Sequence, residues 1–144
     1  FTVVLDGDNV RDGINSNLGF NDADRMENVL RLAEIAKLFV RNGVVTVCSF
    51  VSPTIAIREH AKRIIGAADL FEVFVDTPLE ECERRDVKGL YAKARAGGIK
   101  DFTGISAPFE TPASPDLHLP TMGRSVEETA NELYRSILPR IARN

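Results

Sequence analysis

The sequence predicts an α/β fold in which a parallel β-sheet is covered by helices. Strand-like apolar runs alternate with amphipathic helical stretches along the 144 residues, which is the pattern of β-α-β units. The strand-like runs are mostly apolar and β-favouring, as in parallel strands that are buried on both faces. Several of them end in polar residues, at the edge where parallel sheets bind ligands. A length of 144 residues and an ordinary globular composition predict one domain over residues 1–144, and we find no internal repeat.

The first strand and the first helix are predicted from an apolar run and a capping signal. Residues 1–5 form a β-favouring run, apolar except for Thr2, that predicts a buried strand with no segment leading into it. Asn21 is the predicted N-cap of a helix that Gly43 ends. The apolar residues at helical spacing predict its buried face. They are Val29, Leu32, Ala33, Ala36 and Val40.

The second and third strands are predicted from runs of β-favouring residues. Residues 44–50 predict the second strand, and Ser52 is the predicted cap of a helix that starts at Pro53. We expect that helix to stop near Gly66, where a glycine can end it. Residues 70–75 predict another buried strand.

The last third of the chain predicts two helices around an extended segment. Thr77-Pro78-Leu79-Glu80 has the form of a capping box and predicts a short helix. The proline-rich residues 106–116 are predicted to be extended, and residues 117–119 form a last short strand. Ser125-Val126-Glu127-Glu128 predicts the start of the final helix. Its predicted buried residues are Ala130, Leu133, Ile137 and Ile141.

Bulk composition excludes several classes of protein. The chain is 44% apolar and 27% charged, with 18 basic and 21 acidic residues and a formal charge of −3. This balance favours neither nucleic acid nor a membrane surface as a partner. No run approaches the roughly 18 apolar residues of a membrane span, and two cysteines give neither a disulfide framework nor a zinc spacing. We therefore expect a soluble protein of the reducing cytoplasm.

Polar residues follow three of the predicted strands, at residues 6–9, 49–52 and 76–77. Asp6 and Asp8 flank a glycine at the first of these strand ends. Such a pair could order a metal-bound water or accept a proton from an attacking hydroxyl. The alternative is a tight turn, because Asp-Gly pairs are frequent in turns.

Arg25 and Asn28 stand three residues apart near the start of the first long helix, so they share one face. Backbone N–H groups there favour anions, and Arg11 could join Arg25 on a phosphate or sulfate. The alternative for Arg25 is an ion pair with Asp22 or Asp24, and the alternative for Arg11 is a solvated side chain.

Residues 86–106 form a basic, glycine-containing stretch that includes Lys88 and Phe102. Mobile basic loops of this kind can close over phosphates and exclude water. An exposed phenylalanine among polar residues can stack on a nucleobase. An ordinary solvated helix and loop is the alternative interpretation.

Residues 5–11 and 18–20 resemble the LDGDN-x-R and LGF signatures of adenylylsulfate kinases, or APS kinases. Further family motifs follow in the family's order and spacing. They are Asp24-Arg25-x-Glu27-Asn28, Ala36-Lys37-Leu38-Phe39, Ser49-Phe50-x-Ser52-Pro53, Glu72-Val73-Phe74-Val75-Asp76, Lys88-Gly89-Leu90-Tyr91, Ala94-Arg95-Ala96-Gly97 and Phe102-Thr103-Gly104-Ile105. The resemblance implies a P-loop NTPase fold of the nucleoside-monophosphate-kinase type, with helices on both faces of the sheet and a mobile lid at residues 86–106.

The resemblance also implies a role for each matched residue. Asp8 would be the catalytic carboxylate near the attacking 3'-hydroxyl and the waters of Mg²⁺, with Asp6 supporting the site. The residues implied to bind substrate are Arg11, Phe20, Arg25, Asn28, Ser52, Lys88 and Phe102. The two arginines and the asparagine would hold the phosphosulfate, the phenylalanines would sandwich the adenine, and the lysine would reach the phosphates. Ser52 matches a serine discussed as a phosphorylation site, but we expect direct transfer, since capping a helix is a sufficient role for it.

The implied reaction is phosphorylation of the 3'-hydroxyl of adenosine 5'-phosphosulfate (adenylylsulfate) by MgATP, which activates sulfate for assimilation. The implied partners are ATP and adenylylsulfate, a fused or associated ATP sulfurylase, and a second copy in a homodimer. The alternative is a catalytically silent domain that binds 3'-phosphoadenylylsulfate and regulates an attached sulfurylase. Kinase activity toward an ordinary nucleoside monophosphate fits the fold but not the LDGDN and FTGI segments.

One departure from the family pattern concerns its phosphate-binding loop. The family places a strand, a G-x-x-x-x-G-K-S/T loop and a helix before the LDGDN segment, and no glycine in this sequence precedes a lysine. The missing loop would cradle the phosphates of ATP and supply a hydroxyl ligand to magnesium. We therefore expect the sequence to be a portion of a longer protein.

Overall fold

The computed structural model describes residues 1–142. The chain divides into two compact units, Phe1–Leu70 and Phe71–Asn144. Each unit contains one pair of parallel strands. The prediction that residues 1–144 form one domain stays a prediction.

The first unit is built on strands β1 (Thr2–Asp6) and β2 (Val45–Ser49). They pair in parallel from Thr2 opposite Val45 to Asp6 opposite Ser49, so both strands end at the same edge. Helices α1 (Gly7–Asp12) and α2 (Asp22–Arg41) connect the strands, and α3 (Ile55–Ile65) follows β2. A parallel pair requires such a crossover connection, which confirms the predicted β-α-β order.

The core of the first unit lies where α2 packs against α3. Asn21 caps α2 as predicted, because its side-chain oxygen accepts a hydrogen bond from the Asp24 backbone N–H at 2.9 Å. Four of the five residues predicted for the apolar face of α2 are buried, while Val40 is half-buried. The buried four are Val29, Leu32, Ala33 and Ala36.

The Asp6-Gly7-Asp8 segment passes from β1 directly into a helix, since Gly7 begins α1. The predicted cap and start of the helix after β2 are wrong, because α3 begins at Ile55 and not at Pro53. Thr54, not Ser52, caps α3, because the Thr54 hydroxyl accepts from the Ile57 N–H at 3.3 Å. The Ser52 backbone carbonyl instead accepts a hydrogen bond from the Arg58 guanidinium at 2.8 Å.

The second unit is built on β3 (Val73–Asp76) and β4 (Leu117–Pro120), paired in parallel from Val73 opposite Leu117. β3 begins later than residue 70, and the Glu72 N–H instead donates to the Asp116 carboxylate at 2.8 Å. Helices α4 (Leu79–Arg85) and α5 (Leu90–Arg95) follow β3, and α6 (Val126–Ile141) follows β4. Residues 108–112 have no regular secondary structure.

The predicted capping box at α4 is wrong, whereas the one at α6 is confirmed. Thr77 does not cap α4, because its hydroxyl hydrogen-bonds to that of Thr121. At α6, the Ser125 hydroxyl accepts from the Glu128 N–H at 3.2 Å, and the Glu128 carboxylate accepts from the Ser125 N–H at 2.7 Å.

The predicted burial of the apolar face of α6 is wrong. Ala130 and Ile141 are exposed, and Leu133 and Ile137 are half-buried. In this unit α6 packs against β4. A strand of four residues spans only about 13 Å, whereas a helix of 16 residues is about 24 Å long, so β4 cannot cover α6.

Candidate active site

Asp6 and Asp8 lie where β1 passes into α1. The Asp6 carboxylate accepts hydrogen bonds from the backbone N–H groups of Asp8 at 3.1 Å and Asn9 at 3.3 Å. Asp6 is therefore the N-cap of α1, which fixes the first turn of the helix. Asp8 lies in that first turn, with an exposed side chain. The Asp6 hydrogen bonds therefore fix the turn that carries Asp8, whose exposed carboxylate is the candidate for chemistry.

Gly7 allows the chain to pass close to the end of β2. A Cβ atom at Gly7 would lie 2.9 Å from Phe50 Cβ and 3.4 Å from the Ser49 carbonyl oxygen. Contacts as short as the first one do not occur between real side chains. Glycine at this position therefore brings the start of α1 against the carboxyl end of the parallel pair, which is where open α/β sheets bind ligands.

Arg11, Phe20 and Arg25 form a cluster that we call the arginine–phenylalanine cluster. The guanidinium carbon of Arg11 lies 4.3 Å from the centroid of the Phe20 ring, and that of Arg25 lies 5.9 Å from it. Both distances are within the range of cation–π attraction. The Phe20 side chain is nevertheless 58% exposed. The cluster therefore offers an aromatic surface beside two cations.

Backbone carbonyls hold both arginines of the cluster. Arg11 Nη1 donates to the carbonyls of Leu18 at 3.2 Å and Gly19 at 3.0 Å. Arg25 Nε donates to the Phe20 carbonyl at 2.7 Å. These bonds fix each guanidinium beside the Phe20 ring.

The electrostatics of the cluster favour an anion. Burial lowers the pKa of Arg11, the charge of Arg25 lowers it further, and Asp24 opposes the shift. The Asp24 carboxylate also accepts hydrogen bonds from the Gly19 N–H and the Asn21 side-chain amide, both at 2.9 Å. A phosphate or sulfate placed between the two guanidinium groups would relieve their mutual repulsion.

Asn28 lies one helical turn beyond Arg25 on the same face of α2. It is 5% exposed, and its side-chain oxygen accepts a hydrogen bond from Asn15 Nδ2 at 3.0 Å. Asn15 is fully buried and was missed by sequence reasoning. It stands in a polar loop without periodicity, so nothing in the local sequence distinguishes it from its exposed neighbours Ser16 and Asn17.

Ser52 follows the end of β2 and is half-buried. The structure places Asp6, Asp8, the arginine–phenylalanine cluster, Asn28 and Ser52 in the first unit. Lys88 and Phe102 belong to the second unit.

The segment of Lys88 and Phe102 is ordered by local contacts. The Asp86 carboxylate accepts from the backbone N–H groups of Tyr91 and Ala92, both at 3.0 Å, and these bonds lower the pKa of Asp86. Phe102 is half-buried and meets Tyr91 edge-on, with ring centroids 5.0 Å apart. Lys88 is exposed between α4 and α5. The bonds and the ring contact connect the two ends of the segment.

Within residues 1–142 no group of three or more histidine, cysteine, aspartate or glutamate side chains could hold a metal ion. Mg²⁺ bound with a nucleotide keeps several waters and uses one or two carboxylates together with substrate phosphates, so a single exposed carboxylate such as that of Asp8 fits its chemistry. Asp8 is the carboxylate of the site that could hold such an ion through a water.

The sequence profile described as adenylylsulphate kinase matches residues 1–120. The chain belongs to the adenylylsulphate kinase family. An adenylyl-sulfate kinase of Bacteroides fragilis is 58% identical over 141 residues, which are 98% of this chain and 70% of that protein. The bifunctional enzyme NodQ of Rhizobium sp. (strain N33) is 52% identical over 132 residues, which are 92% of this chain and 20% of NodQ.

Solved adenylylsulfate kinase structures are similar as well. The Mycobacterium tuberculosis APS kinase CysC, solved in complex with AMPPNP and APS, is 48% identical, with a TM-score of 0.88 over 93% of this chain and 78% of CysC. Membership of the adenylylsulfate kinase family confirms the predicted α/β P-loop NTPase fold and the prediction of a kinase. In the part of the chain that the structure describes, no helix is both long and apolar enough to cross a membrane.

Proposed function

We propose that this adenylylsulfate kinase family member transfers the γ-phosphoryl group of MgATP to the 3'-hydroxyl of adenylylsulfate. The products are 3'-phosphoadenylylsulfate and ADP. The observation that carries the proposal is the arginine–phenylalanine cluster, in which an exposed ring stands beside two cations. Adenylylsulfate has the matching chemistry, because it joins an aromatic base to a phosphosulfate anion. The CysC complex with APS supports the same substrate.

In this proposal the cluster binds the substrate through two kinds of contact. The exposed area of Phe20 stacks on adenine, since every base has a π-face that an aromatic ring can cover. Arg11 and Arg25 donate to the phosphosulfate through their guanidinium groups. Asn28 adds an amide donor. Ser52, Lys88 and Phe102 are proposed to bind substrate as well, Lys88 at the phosphates and Phe102 at the adenine.

Asp8 is the proposed catalytic residue. Its carboxylate accepts the proton of the 3'-hydroxyl while the hydroxyl oxygen attacks the γ-phosphorus in line with the leaving group. The new bond joins the 3'-oxygen to phosphorus, and the bond from phosphorus to the β-γ bridging oxygen of ATP breaks. ADP leaves with that electron pair. Mg²⁺, when bound, neutralises the charge of the β- and γ-phosphates.

A comparison of two aspartates on α1 tests the proposal. Asp8→Ala should lower kcat for formation of 3'-phosphoadenylylsulfate by about 100-fold or more, since it removes the proton acceptor. Asp12→Ala is the matched control, because Asp12 is an exposed aspartate at the other end of the same helix. Near-normal kcat in Asp8→Ala would contradict the proposed role of Asp8.

Binding of 3'-phosphoadenylylsulfate without kinase turnover would support the alternative of a catalytically silent regulatory domain. If the full-length wild-type protein binds 3'-phosphoadenylylsulfate but forms no ADP from ATP and adenylylsulfate, the kinase proposal is wrong. An ATP sulfurylase partner, a homodimer and a place in the cytoplasm stay predictions.

A further inference from the structure

Asn15 is a polar residue with no exposed surface, in the loop between α1 and α2. Its Nδ2 donates to the Asn28 side-chain oxygen at 3.0 Å and to the Asn28 backbone oxygen at 3.5 Å. Its Oδ1 accepts from Arg31 Nη1 at 3.3 Å. Glu27, one turn earlier on α2, accepts from Arg31 Nε at 2.7 Å. Asn15 thus connects the Glu27–Arg31 ion pair with a residue of the proposed site.

The side-chain amides of Asn15 and Asn28 can each face either way, and the donors and acceptors around them fix which way they face. A guanidinium only donates, so the atom of Asn15 that faces Arg31 must be the oxygen. Asn15 therefore turns its NH₂ group toward Asn28. The atom of Asn28 that faces this donor must in turn be oxygen, which directs the Asn28 NH₂ group away from Asn15.

We propose that Asn15 is a positioning residue that makes Asn28 present an N–H donor to the phosphosulfate. The inference rests on the proposed function, which assigns Asn28 to that anion. An anion accepts hydrogen bonds, so only one of the two amide orientations of Asn28 binds it. Arg31 fixes the orientation of Asn15, and Asn15 fixes that of Asn28. A reversed Asn28 would place its carbonyl oxygen against the anion.

Asn15→Asp tests the orientation without changing the size of the side chain. Both oxygens of an aspartate accept, so Arg31 keeps a partner, but Asn28 must turn its NH₂ group inward to bond to residue 15. The dissociation constant of adenylylsulfate, measured by titration calorimetry on the full-length protein, should rise about tenfold. The KM of adenylylsulfate should rise with it, while the KM of ATP stays unchanged.

Asn17→Ala is the matched control. Asn17 lies in the same loop, and its side-chain oxygen accepts a hydrogen bond from the same Arg31 nitrogen at 3.0 Å. Unlike Asn15, it is exposed, and among the described residues its side chain has no hydrogen bond to Asn28. Its removal should leave both the dissociation constant and the KM of adenylylsulfate near the wild-type values. If the dissociation constant of Asn17→Ala rose as much as that of Asn15→Asp, the proposal would be overturned. Disruption of the loop alone would then explain the weaker binding of both variants.

If Asn15→Asp does not fold, Arg31→Ala tests the same positioning role. Arg31 is only half-buried, and its removal frees the Asn15 amide to reverse, so the dissociation constant should rise severalfold. Unchanged adenylylsulfate binding in whichever variant folds would overturn the positioning role.

The two proposals fail in different ways. A wild-type protein that neither binds nor phosphorylates adenylylsulfate contradicts the proposed function. An active wild type, together with variants that bind adenylylsulfate as tightly as the wild type, contradicts only the positioning role of Asn15.

Discussion

At the scale of single residues, the candidate site is defined by side chains whose partners fix them before any substrate binds. Carbonyl oxygens hold Arg11 and Arg25 beside Phe20, and the Asp6 carboxylate holds the first turn that carries Asp8. Fixed donors of this kind need little reorganisation when an anion arrives.

Arg25→Ala should lower kcat/KM for adenylylsulfate by about 10-fold to 100-fold, because it removes a charge-assisted bond to the anion. The KM of ATP should change little. Arg41→Ala is the control, since Arg41 is an exposed arginine in the last turn of the same helix. Equal losses in both variants, measured by steady-state kinetics, would contradict a specific anion contact.

Residue-level predictions from sequence succeed where the partner is close in the chain. The Asn21 cap and the Ser125–Glu128 capping box involve groups three residues apart, so a short motif specifies them. Asn15 could not be predicted, because its partner Asn28 lies 13 residues away and only the folded loop brings them together. The prediction of Ser52 as a cap was wrong, because serine and threonine are both good caps and residue type alone does not distinguish Ser52 from Thr54.

At the scale of elements, the approach of α1 to the end of β2 positions the aspartates. Helix α1 has six residues, too few for an apolar period to show in the sequence, and so it was not predicted. The longer α2 shows its period clearly, and four of the five residues predicted for its apolar face are buried. The predicted burial of the apolar face of α6 was wrong. Periodicity identifies which face of a helix is apolar, but it does not show whether another element covers that face.

Gly7→Ala tests the close approach. The added methyl group would lie 2.9 Å from Phe50 Cβ, so the chain must shift at the junction of β1 and α1. We expect the free energy of unfolding to fall by about 1–3 kcal/mol, as in other overpacked sites. Urea unfolding followed by circular dichroism measures it. A variant as stable as the wild type would mean that the junction has room for a side chain.

At the scale of the whole molecule, the order of elements was predictable and the site was predictable in part. Parallel pairing of β1 with β2 and of β3 with β4 follows from helices placed between apolar runs. The resemblance carried by LDGDN, LGF and the later family motifs led to the proposed substrate-binding residues, and the family profile matches residues 1–120. Composition and periodicity alone would have left Arg11 and Arg25 as solvated or ion-paired arginines.

The central claim is the chemistry of the reaction, and identification of the product tests it most directly. The full-length protein should be incubated with ATP, Mg²⁺ and adenylylsulfate, and the products followed by ³¹P NMR. We predict a new 3'-phosphomonoester signal that grows in a one-to-one ratio with ADP. ADP formation without that signal, or equal phosphorylation of adenosine monophosphate in place of adenylylsulfate, would contradict the account.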